Sequence, residues 1–449
     1  MVTAVKNTTQ TSEGITPRWF PMPVHPMLIG SWYTPKRVLA LPCGRRSYKT
    51  ETAKRRLVRY LQVTIPGCRR PRYAFAGPTE GQARSIAWQD FLDLIPDHWI
   101  DGGKWGRNVS HSRLEIFTRF GSLLQVVGLD KPKRIEGKYL NGVVIDEACD
   151  QKPGSFERTI YPMLEDYNGW AWIIGVPKRQ GTGAPWYREF CEKIAKKEYP
   201  DAWLFNWPAS DFLSPSAIKR AQETLDPKDY AEQYDARWQT AGGGIFHAYD
   251  SQFNMRPCSY DPKAAILVGQ DFNVDPMCWV LAHRRGDRLE VFDELFIRDC
   301  NTQKALDVLW GRYPNHQGGW RFYGDAAGQQ RHTNSNLTDF AAVNNDPRFA
   351  KAGRTLHFLA ANPAVQDRYS ATNLLLCNAA GERRCFIDDR CKHLRRDLES
   401  ASYKPGTSEP QGGGDALHMT DGLGYIVWRE FPPRFEGYGT GEVITMGAR

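Results

Sequence analysis

Two adjacent carboxylates at the end of an apolar strand are the residues in this sequence best placed to do chemistry. The stretch Gly142-Val-Val-Ile-Asp146-Glu147 has the pattern of a buried strand that ends in an acidic pair. Such a strand delivers Asp146 to the sheet edge, where it can hold Mg²⁺, and Glu147 can activate the water that attacks a γ-phosphate. The pattern indicates nucleoside-triphosphate hydrolysis. A strand that runs into a solvated acidic turn is the alternative that this stretch alone leaves open.

A basic loop upstream can supply the phosphate-binding half of such a site. It follows the predicted strand Arg37–Leu41 and reads Cys43-Gly-Arg-Arg-Ser-Tyr-Lys-Thr50 before a predicted helix. Backbone N–H groups at a helix N-terminus cradle phosphates, a lysine reaches the β- and γ-phosphates, and a threonine hydroxyl meets Mg²⁺. The ATP-binding candidates in this loop are Arg45, Arg46, Ser47, Lys49 and Thr50.

The loop departs from the usual G-x-x-x-x-G-K-[ST] pattern at both glycines. Cys43 stands at the first glycine position and Tyr48 at the second. A tyrosine adopts a left-handed backbone conformation less readily than glycine, and its ring can crowd the loop. Two alternatives therefore stay open, a basic loop before an ordinary surface helix and a binding or scaffold protein that no longer turns over ATP.

Positive charge is concentrated around this loop. Twelve Lys or Arg residues lie between Lys36 and Arg72, against the single acid Glu51. The apolar residues after Thr50 recur every four positions, which predicts a helix with most of its bases outside the apolar face. Those bases are Lys54, Arg55, Arg56 and Arg59. The run favours contact with a polyanion, with an ordinary solvated face as the alternative.

Length and composition indicate two domains without a membrane segment. The chain has 449 residues, a net charge of +8 and 41% hydrophobic residues, enough for two cores. Its ten cysteines include no C-x-x-C pair, and no secretory leader or membrane-length apolar run is recognised. We expect reduced, mostly buried thiols in a cytosolic protein.

The first half alternates predicted strands with helices, which favours a parallel sheet covered on both faces. Its predicted strands are Arg37–Leu41, Tyr73–Ala76, Leu114–Phe117, Val143–Asp146, Trp170–Val176 and Trp203–Asn206. A polar loop that follows the last strand but one, and that contains Gly175 and Pro177, could sense the γ-phosphate. The glycines at 242–244 favour a boundary, so we predict domains at 1–241 and 263–449 with a hinge at 242–262.

The second half carries acids at the ends of several elements. Asp271 ends a predicted strand, a three-stranded meander follows, Asp325 ends a later strand, and Asp421 lies on a late helix with His418 on the same face. Acids from separate strands and a helix can hold two Mg²⁺ or Mn²⁺ ions around a scissile phosphate. This order favours a ribonuclease-H-like nuclease, although any one of these acids is more often a turn or cap residue.

Taken together, these motifs resemble those of large terminase subunits, the ATP-driven DNA-packaging motors and nucleases of tailed bacteriophages. The resemblance covers nearly the whole chain. It is carried by the phosphate loop, the Asp146-Glu147 strand, the Gly175 loop, the glycines at 242–244 and the acids of the second half. It implies an α/β chain with an N-terminal RecA-like P-loop ATPase domain and a C-terminal ribonuclease-H-like nuclease domain.

The resemblance also implies roles for individual residues. Lys49, Thr50 and Asp146 would bind ATP and Mg²⁺, and Glu147 would activate water. The nuclease metal ligands would be Asp271, Asp325 and Asp421, with Asp275, Glu294 and His418 as accessory residues. His25 would contact adenine, Gly175 and Pro177 would couple hydrolysis to motion, and Arg134 would be a trans-acting arginine from a neighbouring subunit.

The partners that the resemblance implies are those of a packaging machine. They are double-stranded DNA, the portal protein of the procapsid and a small terminase subunit, with this chain in a homo-oligomeric ring, expected to be a pentamer. The expected location is the host cytoplasm, transiently at the procapsid portal vertex and not in the mature virion. The alternative is a helicase-like ATPase fused to a DNA repair or recombination nuclease, although further helicase motifs are not found in the sequence.

Overall fold

The chain divides into two compact units in a computed structural model. The first comprises residues 1–218 and 231–239, and the second comprises residues 219–230 and 240–449. The structure describes residues 19–131, 135, 137–239, 243–272, 275–326, 338–358, 362–404, 409–411 and 417–433.

The first unit is built on an eight-stranded sheet. In spatial order its strands are β3-β4-β5-β2-β6-β7-β1-β8, and all the pairs from β5 to β8 are parallel, whereas β3, β4 and β5 pair antiparallel. The strands are β1 (Val38–Pro42), β2 (Arg72–Gly77), β3 (Val109–Ser110), β4 (Glu115–Phe117), β5 (Leu123–Gly128), β6 (Gly142–Ile145), β7 (Trp170–Gly175) and β8 (Ala202–Leu204). The predicted parallel sheet is confirmed.

Helices cover both faces of this sheet because alternate strand residues point to opposite sides. One face packs Leu39 and Phe75 against the helix that follows the phosphate loop, and the other packs Ala40 and Val143 against a later helix. The helices are α1 (Pro26–Tyr33), α2 (Lys49–Tyr60), α3 (Glu80–Ala83), α4 (Gln89–Leu94), α5 (Tyr161–Glu165) and α6 (Ala184–Ala195). Two further helices, α7 (Pro215–Thr224) and α8 (Pro227–Gln233), each contain residues of both units.

The prediction that the basic residues of the helix after Thr50 form an exposed face is mostly wrong. Lys54, Arg55 and Arg56 are each 5–6% exposed, and of the four bases only Arg59 is exposed. The Arg55 guanidinium lies over the Phe20 ring, the Arg56 guanidinium lies over Trp172, and Lys54 pairs with Asp90. Because neighbouring segments cover the polar side of α2 as well, these three cations are buried inside the first unit and do not form an exposed surface for a polyanion.

The second unit is built on a six-stranded sheet in the order β13-β12-β9-β10-β11-β14. The central β9, β10 and β11 form the predicted antiparallel meander, whereas β12 and β13 join it in parallel on one side and β14 on the other. The strands are β9 (Ile266–Asp271), β10 (Met277–Arg285), β11 (Arg288–Ile297), β12 (Trp320–Gly324), β13 (Arg354–Phe358) and β14 (Cys385–Ile387).

Two layers of helices bury this second sheet. Leu267 and Val280 face α13, α14 and α15, whereas Val268 and Trp279 face α10, α11 and α12. The helices are α9 (Ser251–Asn254), α10 (Thr302–Arg312), α11 (Asp339–Asn345), α12 (Pro347–Lys351), α13 (Val365–Leu376), α14 (Lys392–Ser400) and α15 (His418–Glu430). The α/β fold class predicted from the sequence is therefore confirmed.

Two further expectations can be compared with the structure. All ten cysteines are buried thiols and none is in a disulfide, as predicted. Within the described part of the chain, no helix is long and apolar enough to cross a membrane.

Candidate functional site

The loop between β1 and α2 is organised around the carbonyl oxygen of Gly44. That oxygen accepts hydrogen bonds from Ser47 Oγ at 2.6 Å and from Lys49 Nζ at 3.1 Å. A Cβ on Gly44 would lie 2.5 Å from the backbone nitrogen of Ala209. Glycine is therefore required here by close backbone approach, one position after the site where the usual motif has it.

Tyr48 adopts the backbone conformation that the second motif glycine would otherwise supply. Its φ and ψ are 63° and 6°, in the left-handed region, and α2 begins at the next residue. A left-handed backbone costs a non-glycine residue about 1–2 kcal/mol. The Tyr48 ring packs against Phe212 with the ring centres 5.6 Å apart, which offsets part of that cost. The loop thus keeps its turn without the glycine.

Two substitutions of Tyr48 should distinguish the cost of its left-handed backbone from the contribution of its ring packing. We expect Tyr48→Ala to be less stable than Tyr48→Gly by about 1 kcal/mol, because both lose the ring but only alanine keeps the left-handed strain. Thermal unfolding midpoints of the two variants and the wild type would measure this. Equal midpoints for the two variants would contradict the strained backbone.

The phosphate loop and the acidic strand meet at one edge of the first sheet. Thr50 Oγ1 lies 3.2 Å from Asp146 Oδ2. Burial, together with the neighbouring Glu147 charge, raises the pKa of Asp146 to about 6 against the opposing effect of the Lys49 charge. A hydroxyl and a buried carboxylate this close offer the hard oxygen ligands that Mg²⁺ prefers, so the residues fit such a cation.

Glu147 is held beside a lysine of the loop after β7. Lys178 Nζ lies 3.4 Å from Glu147 Oε2 and 2.5 Å from Asp150 Oδ2. Burial opposes the charge of Lys178, but Glu147 and Asp150 outweigh it and raise the pKa of the lysine. Glu147 itself has a left-handed φ of 50° and donates its backbone N–H to Asp146 Oδ1. The ion pair links the proposed water-activating residue to the proposed coupling loop.

The remaining ATP-site candidates occupy different surroundings. Arg45 and Arg46 are exposed at the loop, and His25 Nε2 lies 3.1 Å from Asp211 Oδ2. The His25 ring centre is 4.8 Å from that of Phe212, the residue that also packs on Tyr48. Arg134 lies outside the described residues.

The coupling candidates lie directly behind the phosphate loop. Gly175 ends β7 and accepts a hydrogen bond at its carbonyl from the backbone N–H of Cys43 at 3.0 Å. Pro177 is buried and precedes Lys178. A backbone contact from β7 to the loop, together with the Lys178 pair, connects this segment to both halves of the nucleotide site.

A second cluster of polar side chains lies where β9 and α15 meet in the second unit. His418 Nδ1 is 2.8 Å from Asp271 Oδ2, and Arg368 Nη1 is 3.0 Å from Asp421 Oδ1. Burial raises the pKa of Asp421 to about 6, with Arg368 lowering it and Asp271 raising it. The hydrogen bond that His418 makes to the Asp271 carboxylate raises the pKa of the imidazole. The sequence-predicted Asp271, Asp421 and His418 are therefore neighbours.

Asp325 approaches the same cluster from β12. Its Oδ1 accepts a hydrogen bond from the side-chain amide of Asn362. Burial raises the pKa of Tyr425, Arg368 lowers it, and Asp325, Asp421 and Asp271 raise it further. The charges of all three carboxylates therefore act on the same phenol.

No ready-made metal cage is present in the part of the chain that the structure describes. No group of three or more His, Cys, Asp or Glu side chains there is arranged to hold a metal ion, because Asp271, Asp325 and Asp421 are each turned toward a protein partner. The donor chemistry nevertheless fits a hard cation. Asp421 Oδ1 is buried without a well-aligned hydrogen-bond partner among the described residues, and burial, with a smaller contribution from the Asp271 charge, raises the pKa of this carboxyl.

Two facing glycines allow β9 and α15 to approach. A Cβ on Gly269 would lie 2.0 Å from the Gly422 carbonyl oxygen, and a Cβ on Gly422 would lie 2.8 Å from the Gly269 carbonyl oxygen. Gly269 precedes Asp271 by two residues on the same face of β9, and Gly422 follows Asp421. The absence of both side chains lets the two aspartates approach each other.

Alanine at Gly422 should damage this cluster. We expect Gly422→Ala to destabilise the second unit by about 1–3 kcal/mol through overpacking and to lower metal-dependent DNA cleavage about a hundredfold through misplacement of Asp421. Thermal unfolding and plasmid cleavage would measure both effects.

Gly424 provides the matched control on the same helix. A Cβ there would lie no closer than 3.8 Å to its nearest neighbour, Arg368 Nη1. Gly424→Ala should retain cleavage and gain helix stability of up to about 1 kcal/mol. Equal losses in the two variants would show that the contact with Gly269 is not the cause.

Two accessory candidates have other partners. Both carboxylate oxygens of Glu294 accept backbone N–H groups at the start of α14, from His393 at 2.8 Å and Leu394 at 2.9 Å. Asp275 pairs with Arg298 at 3.2 Å and is about half exposed. Helix capping and a surface ion pair account for the contacts of these two residues.

Sequence reasoning missed several residues of both sites. Lys178 carried a signal, since it lies three residues after Gly175 in the loop already assigned to coupling. Arg368 and Asn362 carried none, because a single arginine or asparagine in a polar segment matches no motif.

Comparison with known proteins supports the fold. No protein-family model matches the sequence, and no curated protein matches it. Among solved structures, the large terminase of a thermophilic bacteriophage matches with a TM-score of 0.54 and 16% identity, covering 91% of this chain and 99% of that chain. Its complex with ADP matches with a TM-score of 0.52 and 17% identity, again covering 91% and 99%.

The match extends over both units. The complex of the same protein with ATP-γ-S has a TM-score of 0.50 and 16% identity, covering 90% of this chain and 99% of that chain. The fold of this chain is therefore similar to that of the large terminase structures, over both of its units. The fold expected from the sequence resemblance is confirmed.

Proposed function

We propose that the first unit is an ATPase. The observation that carries this proposal is the 3.2 Å contact between Thr50 Oγ1 and Asp146 Oδ2, which joins the phosphate loop to the acidic strand. Lys49 would neutralise the β- and γ-phosphates, Thr50 and Asp146 would hold Mg²⁺, and Glu147 would orient and deprotonate the attacking water. Bound Mg²⁺ supplies charge stabilisation to the transferred phosphoryl group. Arg45 and Arg46 would add positive charge at the loop.

The second unit is, in this proposal, a metal-dependent endonuclease. Asp271, Asp325 and Asp421 would hold two Mg²⁺ or Mn²⁺ ions, which supply an activated water and stabilise the leaving oxygen. His418 would donate its Nδ1–H to Asp271 and orient that carboxylate. Glu294 would act indirectly by fixing the start of α14.

The two activities together, on this fold, define a large terminase subunit. In this proposal ATP hydrolysis in residues 1–241 drives double-stranded viral DNA into procapsids, and residues 263–449 cut concatemeric DNA. His25 would contact the adenine, and Arg134 of a neighbouring subunit would complete the ATP site. Gly175 and Pro177 would transmit hydrolysis through the loop that carries Lys178. The support is the fold shared with the large terminase of the thermophilic bacteriophage, whose solved structures include complexes with ADP and ATP-γ-S.

The proposed setting follows from that role. The chain would act in the host cytoplasm as a homo-oligomeric ring, a pentamer, on the portal protein at the procapsid vertex, together with a small terminase subunit. It would leave before the virion matures.

Purified full-length protein tests this function directly. We expect phosphate release from ATP that double-stranded DNA stimulates, and plasmid cutting that requires Mg²⁺ or Mn²⁺. With procapsids, ATP and linear DNA, the chain should protect DNA from added nuclease. Hydrolysis and cutting without protection would instead favour a helicase-like ATPase fused to a repair nuclease, and no phosphate release would favour a binding or scaffold protein.

A further inference from the structure

A buried guanidinium lies against one of the proposed nuclease ligands. Arg368 on α13 is 5% exposed, and its Nη1 lies 3.0 Å from Asp421 Oδ1. Its Cζ lies 4.5 Å from the centre of the Tyr425 ring. Asp421 and Tyr425 are four residues apart on α15, so Arg368 lies along the helix face that carries the carboxylate.

This contact is a close ion pair with poor hydrogen-bond geometry. Arg368 Nε and Nη1 and Asp421 Oδ1 are all buried, and none has a well-aligned hydrogen-bond partner among the described residues. An arginine–carboxylate pair at full strength is bidentate, with two parallel N–H···O bonds. The observed pair leaves hydrogen-bonding capacity unused on both sides, so another ligand can separate it more readily.

A divalent cation at this centre would compete with that guanidinium. Both cations seek the same oxygen of Asp421, and at short range inside the protein like charges repel strongly. The protein without DNA therefore holds its own counterion where the metal would bind. A DNA phosphate offers the guanidinium a different anion, one whose geometry matches the planar fork of arginine.

We propose that Arg368 is an internal counterion of Asp421 that a divalent cation must displace, and that a DNA phosphate assists the displacement. Metal affinity is thereby kept low until DNA is bound, which couples the two binding events. The proposal rests on the proposed nuclease function. Arg368 acts through Asp421 and is a positioning residue.

Metal titration of the full-length chain without nucleotide or DNA tests this role. Free Mn²⁺ would be followed by electron paramagnetic resonance, with Asp271→Asn defining the binding that belongs to the nuclease centre. Arg368→Met removes the charge but keeps a long side chain over Tyr425. We expect its Mn²⁺ affinity to be about tenfold tighter than that of the wild type, whereas Arg368→Lys should stay within about twofold of the wild type because the charge remains.

Arg256 offers a matched control in the same unit. It pairs with Glu290 at 2.8 Å and lies over the Phe386 ring, but it is more exposed than Arg368, so Arg256→Ala removes an arginine–carboxylate pair that stacks on a different ring. We expect no change in Mn²⁺ affinity. With a cleavage-resistant phosphorothioate duplex present, the affinity of the wild type should rise toward that of Arg368→Met.

The outcomes separate the two proposals. Unchanged or weaker Mn²⁺ binding by Arg368→Met, in a protein with normal circular dichroism, would overturn the counterion role. If that variant does not fold, Arg368→Gln is also neutral and carries the same expectation. A wild-type affinity that DNA does not raise would overturn displacement by phosphate. Mn²⁺ binding that is fully retained in Asp271→Asn would overturn the nuclease centre itself.

Discussion

Replacement of Lys49 by alanine should lower DNA-stimulated ATP hydrolysis by about a hundredfold or more, as removal of one transition-state charge donor does elsewhere. Lys49 opens α2 and is 7% exposed, so its ammonium is aimed along the phosphate loop and not into solvent. Its Nζ donates a hydrogen bond to the Gly44 carbonyl at 3.1 Å, which holds the ammonium against the loop. A phosphate would replace that single acceptor with several charged oxygens. Phosphate release measured with and without DNA is the appropriate assay.

The same helix contains a control for this substitution. Arg59 lies in the last turn of α2 and is exposed, so Arg59→Ala removes one positive charge from α2 far from the loop. We expect its hydrolysis rate to stay within about twofold of the wild type, since exposed charges contribute little. Mn²⁺-dependent plasmid cutting by Lys49→Ala should be unchanged. Hydrolysis that survives in Lys49→Ala would reject the phosphate-loop assignment.

The sequence predicted those strands well that consist of one continuous apolar run. The strands that contain Asp146 and Asp271 are continuous apolar runs, because they are central and buried on both faces. The edge strands β3, β13 and β14 were not predicted, because their short or half-exposed segments carry little periodicity and their pairing depends on neighbours distant in sequence. The internal strand β5 was also not predicted, and its apolar residues are interrupted by Gln125.

Whether the charged residues are buried or exposed could not be predicted in the same way. The basic residues of α2 follow a helical pattern that predicts a polar outer face, yet Trp19, Phe20 and Asp90 cover that face from other parts of the chain. Tyr48 conflicts with the motif in sequence, but the structure places its backbone where glycine would be. The local sequence pattern indicates which conformation and exposure a segment favours. Contacts with residues distant in the sequence decide whether the folded protein follows that pattern.

Replacement of Asp271 by asparagine should remove metal-dependent cleavage while ATP hydrolysis continues. Asp271 ends the central strand β9 and faces α15, where it pairs with His418 at 2.8 Å. Asparagine keeps the size of the side chain but removes the charge that a hard cation requires. The expected loss is about 4 kcal/mol of transition-state stabilisation, which corresponds to about a thousandfold in rate. Linearisation of supercoiled plasmid in Mn²⁺ would measure it.

Asp275 is the control that makes this result specific, because it lies four residues away and is also an acid. Its partner is Arg298, and it is about half exposed, so Asp275→Asn should cost at most about 1 kcal/mol of stability and leave cleavage within a few-fold of the wild type. We therefore expect the Asp271 carboxylate, which ends a strand and faces α15, to be needed for cleavage, and the Asp275 carboxylate, which is paired at the surface, not to be needed. If both variants lost cleavage equally, the acids would act through the charge of the segment as a whole, and the assignment of Asp271 as a metal ligand would be wrong.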